Sequence, residues 1–237
     1  MHRPPWLGGV GLAGGIDKTG ERAGELLAAG FASVEFGSVT TLPLPGISCG
    51  LAALLARLAA VKTPRAAIGI GLGLPPDLPA GQLAEQWLSG LHLLAARPAV
   101  ADYLSFNLSA AANRRFVEPT LYPQLAEALA AVAEFRQSQA GRHLPLLAAK
   151  LSVAAAAALW DELRAAGLAQ VTVVLPDGVP PAQALAPLAG RHGLWRVAVG
   201  GIASADERRA AHSAGADGVQ VHRLFVAHGA ACLMALS

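Results

Sequence analysis

The 237-residue chain holds only two cysteines, Cys49 and Cys232, far apart and without metal-ligand spacing. That excludes a disulfide-built scaffold and a cysteine-ligated metal centre, and two unpaired thiols in a reducing compartment are expected. Charge is also scarce: 14% of residues are charged, and the formal net charge is +2. There is no basic tract and no interleaving of basic with aromatic residues, so nucleic acid is not an expected partner. Long unbroken apolar runs are missing too. The longest charge-free stretch, residues 36–56, carries Pro43, Pro45 and several glycines and cannot cross a membrane as a helix. The N-terminal MHRPPWLGGVGLAGG has no uniform apolar segment and does not read as a signal peptide. The expectation is a cytoplasmic protein with no integral membrane segment.

What the chain has in plenty is apolar residues, 54% of the total. A single large core is easily filled, and one domain over residues 1–237 is expected. Short apolar runs recur at residues 10–14, 33–37, 67–71, 103–108, 146–151, 171–175, 196–199 and 218–221. Continuous rather than alternating apolar character suits strands covered on both faces. Each run is followed by a helical pattern, as in TGERAGELLAAG, VAAAAALWDELRAAG and SADERRAAHSAG, the last with Ser204 as N-cap and Gly215 as stop. Eight such units in a row predict a (β/α)8 TIM barrel. The loop TTLPLPGISC after the second run is the segment best suited to cover a site.

In such a barrel the active site forms at the C-terminal strand ends. The eight ends deliver, in order, Asp17 and Lys18; Ser38 and Thr40; Gly69, Gly71 and Gly73; Asn107 and Ser109, with Asn113 to Arg115 beyond; Lys150 and Ser152; Pro176 and Asp177; Gly200 and Gly201; His222 and Arg223. Lys150 interrupts LPLLAAKLSVAAAAALW, which offers no neighbouring charge, and a lysine there needs an anion, a dipole or a ligand oxygen. In GLAGGIDKTGE the apolar, glycine-rich run ends in Asp17-Lys18, and Lys18 is expected to be buried with a similar need. Gly200-Gly201 stands between strand and helix, where backbone amides can approach a phosphate, and Arg223 can add charge to such a site. Glu35, inside the second run, reads as a paired interior carboxylate, and His222 as a packed or capping histidine.

Five blocks resemble one family in order and spacing: GLAGGIDKTGE, GFASVEFGSVTTLPLPG, ADYLSFNLS, LLAAKL and VAVGGIASADERRAAHSAGADGVQV. The chain is similar to the dihydroorotate dehydrogenases, nearest to their membrane-associated, quinone-using class. The resemblance implies a (β/α)8 flavoprotein that holds FMN at the strand ends and oxidises dihydroorotate. It implies that Ala13, Gly14 and Gly15 form a flavin turn and that Lys18 touches flavin and substrate. It further implies a flavin-side hydroxyl at Ser38 or Thr40, an amide shared by flavin and substrate at Asn107, and a cation near the reduced flavin at Lys150. Gly200 and Gly201 fall on the phosphate turn.

The substrate side departs from that family. Its fourth-strand motif resembles Asn-Val-Ser-Ser-Pro-Asn, whose second serine removes the substrate proton; here the stretch is NLSAAAN, with Ala110 at the base position. Ser109 is the adjacent hydroxyl, although strand alternation would turn it to the other face. The family's third-strand asparagine and lysine are missing from IGIGLGL, its sixth-strand Thr-Asn reads Leu175-Pro176, and its residues after the eighth strand read His222-Arg223. The class's N-terminal helical extension is expected to have no counterpart. The favoured expectation is an FMN-binding oxidoreductase acting on a small molecule other than dihydroorotate, with Lys18, Lys150 and Ser109 as its catalytic candidates and Asp177, His222 or water as further proton carriers. One alternative is a non-catalytic ligand-binding or partner subunit. The other is a cofactor-free lyase or isomerase using Lys150 as a Schiff base. Besides a small molecule, the partner expected is a second copy of the chain.

Overall fold

The structure is a computed structural model describing residues 3–62 and 66–237. Eight parallel strands close on themselves: β1 (Val10–Leu12), β2 (Ser33–Val39), β3 (Ala67–Leu72), β4 (Tyr103–Asn107), β5 (Leu146–Ser152), β6 (Gln170–Val174), β7 (Trp195–Val199) and β8 (Gly218–Val221). Each pairs with its sequence neighbours, and β8 returns to β1 through Val10↔Val219 and Leu12↔Val221. Helical segments connect the strands, among them Leu51–Ala59, Leu83–Ala95 and Tyr122–Ser138. This is the (β/α)8 barrel predicted from the sequence.

The element bounds differ from expectation for local reasons. β1 stops at Leu12 because residues 13–17 turn back onto β2, with the Gly15 amide donating to Gly37 O at 2.6 Å and the Gly37 amide to Asp17 O at 2.9 Å. The helix predicted after β5 is two, Val153–Ala158 and Trp160–Ala165, separated at Leu159 with no proline or glycine to mark the break. Pro187 cuts the helix after β6 to Pro181–Leu185 plus one 3-10 turn, and Gly229, at φ +57, divides the C-terminal helix. Ser204 does cap Ala205–Ser213: its Oγ accepts from the Glu207 amide at 3.2 Å, while Glu207 Oε2 accepts from the Ala203 amide at 2.7 Å.

The barrel interior is more polar than the apolar runs suggested. Ser33 and Glu35 of β2, Tyr103 and Ser105 of β4, Gln170 and Thr172 of β6 and Gln220 of β8 are all buried, so the even-numbered strands supply most of the polar layers, with Lys150 of β5 added to them. Tyr103 lies across the middle. Its hydroxyl donates to Glu35 Oε2 at 3.5 Å and accepts from Gln220 Nε2 at 3.1 Å. Burial first, then the Glu35 carboxylate, push the phenol well above its ordinary value, so it remains a donor. β3 accommodates this ring only because residue 69 is glycine; a Cβ there would fall 2.1 Å from Tyr103 Cζ. Below, the 3-10 turn Pro5–Gly8 closes the barrel floor, with Trp6 stacked on Tyr103 at 5.7 Å between centroids and Leu7 buried. The open end is therefore the C-terminal one.

Candidate functional site

A cavity of about 590 Å³ opens at the ends of β5 to β8 and β1, within the usual size range of small-molecule sites. Seven of the residues expected to hold the cofactor or act in catalysis line it together: Ala13 and Gly14 after β1, Ser109 after β4, Lys150 on β5, Gly200 and Gly201 after β7, and Arg223 after β8. Asp177 and His222 join them. Ser109 reaches the cavity because β4 has already ended at Asn107, so strand alternation no longer governs its direction.

The glycine turn is the most open part of this wall. Gly200 and Gly201 have φ +95 and +65, and a Cβ on Gly201 would meet nothing within 4 Å. Among the described residues, hydrogen bonding resumes only at the Ala203 amide, leaving the Gly200, Gly201 and Ile202 amides without acceptors inside the protein. Across the mouth Arg223 pairs with Asp177 at 2.5 Å, both side chains well exposed; such a pair is weakly held and readily exchanged for another anion. His222 is half-buried beside them. Burial first, then the charges of Lys150 and Arg223, hold its imidazole below the ordinary histidine value.

Lys150 has an internal partner that its sequence neighbourhood did not show. Its Nζ lies 3.5 Å from Glu35 Oε1, with the lysine side chain 8% and the glutamate side chain 1% exposed. Glu35 is thus the paired interior carboxylate expected, and it supplies the anion that Lys150 requires. Gly14 leaves room for the carboxylate: a Cβ there would sit 2.7 Å from Glu35 Oε1.

Lys18 is placed differently from expectation. It is exposed, while its neighbour Asp17 is buried. Asp17 turns inward because its carboxylate organises the loop, accepting from the amides of Thr19 (2.9 Å), Gly20 (2.7 Å) and Arg22 (2.9 Å). Lys18 instead lines a separate cavity of about 540 Å³ against the loop after β2, together with Pro43 and Cys49. The two lysines therefore do not share a cavity. Thr40 fastens that loop rather than facing a site, its Oγ1 donating to Leu42 O at 2.6 Å. Gly15 lines a third cavity of about 660 Å³, beside His222 and the Arg223–His228 helix.

Ser38 and Asn107 line none of these cavities but bond to each other, Asn107 Nδ2 donating to Ser38 Oγ. Asn107 Oδ1 accepts from the Ser109 amide at 3.1 Å and the Ser109 hydroxyl at 2.7 Å. Ser152 is an N-cap, accepting from the Ala155 amide at 3.2 Å. At the end of β3, Gly71 faces Glu35 Oε1, 3.3 Å from where its Cβ would be. Two polar cavity residues were not singled out from the sequence: Gln220, hidden in the apolar β8 run, and Glu207, which reads simply as an early helical acid. No group of residues suited to a metal ion occurs among the described residues, and no described helix is long and apolar enough to cross a membrane.

Fold and cavity together define a (β/α)8 barrel with an open cavity at its strand ends. Comparison with known proteins narrows this. The chain is 30% identical over 274 residues to the dihydroorotate dehydrogenase (quinone) of Flavobacterium lutescens, covering 94% of the chain and 77% of that relative. It is 28% identical over 211 residues to the same-named protein of Stenotrophomonas maltophilia strain R551-3, a match that takes in 76% of the chain but only 59% of the relative. Among solved structures, the dihydroorotate dehydrogenase of Eimeria tenella in complex with ferulenol superposes with a TM-score of 0.72 over 96% of the chain and 78% of its own, at 19% identity. No protein-family model matches the chain. The chain belongs to the dihydroorotate dehydrogenase family.

Proposed function

We propose that the protein is a flavin-dependent oxidoreductase that holds FMN in the strand-end cavity and acts on a small molecule other than dihydroorotate. The observation that carries this reading is the convergence, in one cavity, of the open Gly200-Gly201 turn with Lys150, His222 and Arg223. Free amides, a guanidinium and an imidazole suit the phosphate of FMN. Gly14, where a side chain would meet the Glu35 carboxylate, adds no side chain to the cavity wall at the end of β1. When bound, FMN supplies reversible hydride acceptance.

The chain's own residues supply the rest. Lys150, fixed by Glu35, presents a stationary positive charge at the cavity. His222, which lines the cavity and makes no side-chain hydrogen bond among the described residues, can accept a proton there. Ser109 is a poor base because its hydroxyl donates to Asn107 Oδ1 and it has no adjacent proton acceptor of higher basicity. Together with Ala110 at the position that the resemblance gives to the base and glycines at the end of β3, this leaves dihydroorotate without the family's serine base and with few polar groups to grip it. Schiff-base chemistry at Lys150 gains no support: a neutral amine would leave Glu35 buried and unpaired.

The experiment is anaerobic mixing of the FMN-loaded protein with dihydroorotate. The flavin absorption band is expected to persist, with bleaching slower by at least about a hundredfold than in a relative that has the serine, the usual cost of a missing general base. Bleaching at the relative's rate would overturn the substrate assignment.

A further inference from the structure

We propose that His222 makes phosphate-monoester binding in the strand-end cavity proton-linked, its imidazole taking up a solvent proton as the phosphate settles beside Gly200-Gly201 and Arg223. The identity of the ester as FMN rests on the reading above; the linkage itself rests on the cavity. His222 follows β8 directly, and its ring stands edge-on to the β1 turn, where a Cβ on Gly15 would come within 3.0 Å of Nε2. It lines both the strand-end cavity and the cavity beside Gly15, forming the wall between them.

The charges around this ring decide its behaviour. Lys150 from β5 and Arg223 from its own segment face it as cations. The acids lining the same two cavities are all engaged elsewhere. Asp177 pairs with Arg223 at 2.5 Å, Glu207 accepts from the Ala203 amide at 2.7 Å, and Glu25 pairs with Arg22 at 2.6 Å. No carboxylate is left over for the imidazolium, and burial adds to the cost of charging it. A phosphate dianion entering the cavity supplies the missing counter-charge. The sign follows: the free ring, held low, is neutral near neutral pH; the ligand raises it; affinity therefore increases as pH falls through the ligand-bound value. The gain must be read above the point where the monoester loses its own second charge, near pH ~6.

The test titrates inorganic phosphate, and separately FMN, into wild type and His222→Gln by calorimetry, at about pH 6.5 and about pH 8.5 so that the ester stays largely dianionic. The glutamine variant carries the ligand's own ionisation, so only the difference between the proteins counts. Wild type is expected to lose about fivefold more affinity than His222→Gln between the two conditions, the low end of site-to-site coupling. The His222 ring resonance, identified by its disappearance in the variant, is expected to titrate at higher pH when phosphate is present. Equal pH dependence in the two proteins, an unmoved resonance, or no binding of either ligand overturns the proposal. Proton-linked phosphate binding in a protein that ignores FMN leaves it standing and removes the flavin reading; pH-independent FMN binding does the reverse.

Discussion

Lys150→Ala is expected to lower folding stability by about 3–5 kcal/mol, because it leaves an uncompensated carboxylate inside the barrel. Glu35 is 2% exposed, and its other polar neighbour, the Tyr103 hydroxyl, lies at 3.5 Å. A neutral donor at that distance cannot replace an ammonium. The double variant Glu35→Gln, Lys150→Met is expected to recover most of the loss, since a buried pair contributes little net stability over neutral side chains of similar volume. Urea unfolding followed by circular dichroism measures both. A loss below about 1 kcal/mol for Lys150→Ala, the value of an exposed pair, would mean that the carboxylate is hydrated and the pair incidental.

Gly201→Val should weaken FMN binding by at least about a hundredfold, the effect of losing two hydrogen bonds to a charged acceptor. The glycine's Cβ direction is open space beside the cavity, and its φ of +65 is a conformation that a β-branched residue resists. The substitution therefore both fills the approach to the turn and turns its amides away. The turn is at the surface of the site, so the barrel should still fold, which far-UV circular dichroism checks. Binding within about threefold of wild type, less than one such hydrogen bond, would place the phosphate elsewhere.

These expectations depend on contacts of different legibility. The barrel was readable because strands buried on both faces leave continuous apolar runs, and because caps such as Ser204 and stops such as Gly215 punctuate the helices. The Glu35–Lys150 pair was half readable. Each residue stood out as a charge in an apolar run, but they lie 115 positions apart, and only barrel closure brings β2 and β5 to a common interior. Lys18 was misread for a related reason. Apolar, glycine-rich flanks say that a segment is buried on average, while the turn decides which side chain goes in, and the amides of Thr19, Gly20 and Arg22 select Asp17. Ser109 was turned the wrong way by a strand rule applied two residues past the strand's end. The Tyr103–Gln220 layer was invisible because single polar residues in a β run carry no sign of facing one another across a barrel.

The family relationship has a similar division. The resemblance read from the sequence lies in blocks at β1, β2, β4, β5 and β7, and the proposed change of substrate rests on the departures read at NLSAAAN and Leu175-Pro176. A barrel can keep its cofactor side and change its substrate because the two are built from different strand–helix loops.

The measurement closest to the central claim is an absorption and fluorescence titration of the purified protein with FMN, with riboflavin as the control lacking phosphate. Saturable binding with a shifted flavin band is predicted, with riboflavin weaker by at least about tenfold for want of the charged contacts at Gly200-Gly201 and Arg223. Protein whose addition leaves the FMN spectrum and emission unchanged, or that binds riboflavin equally well, would contradict the account.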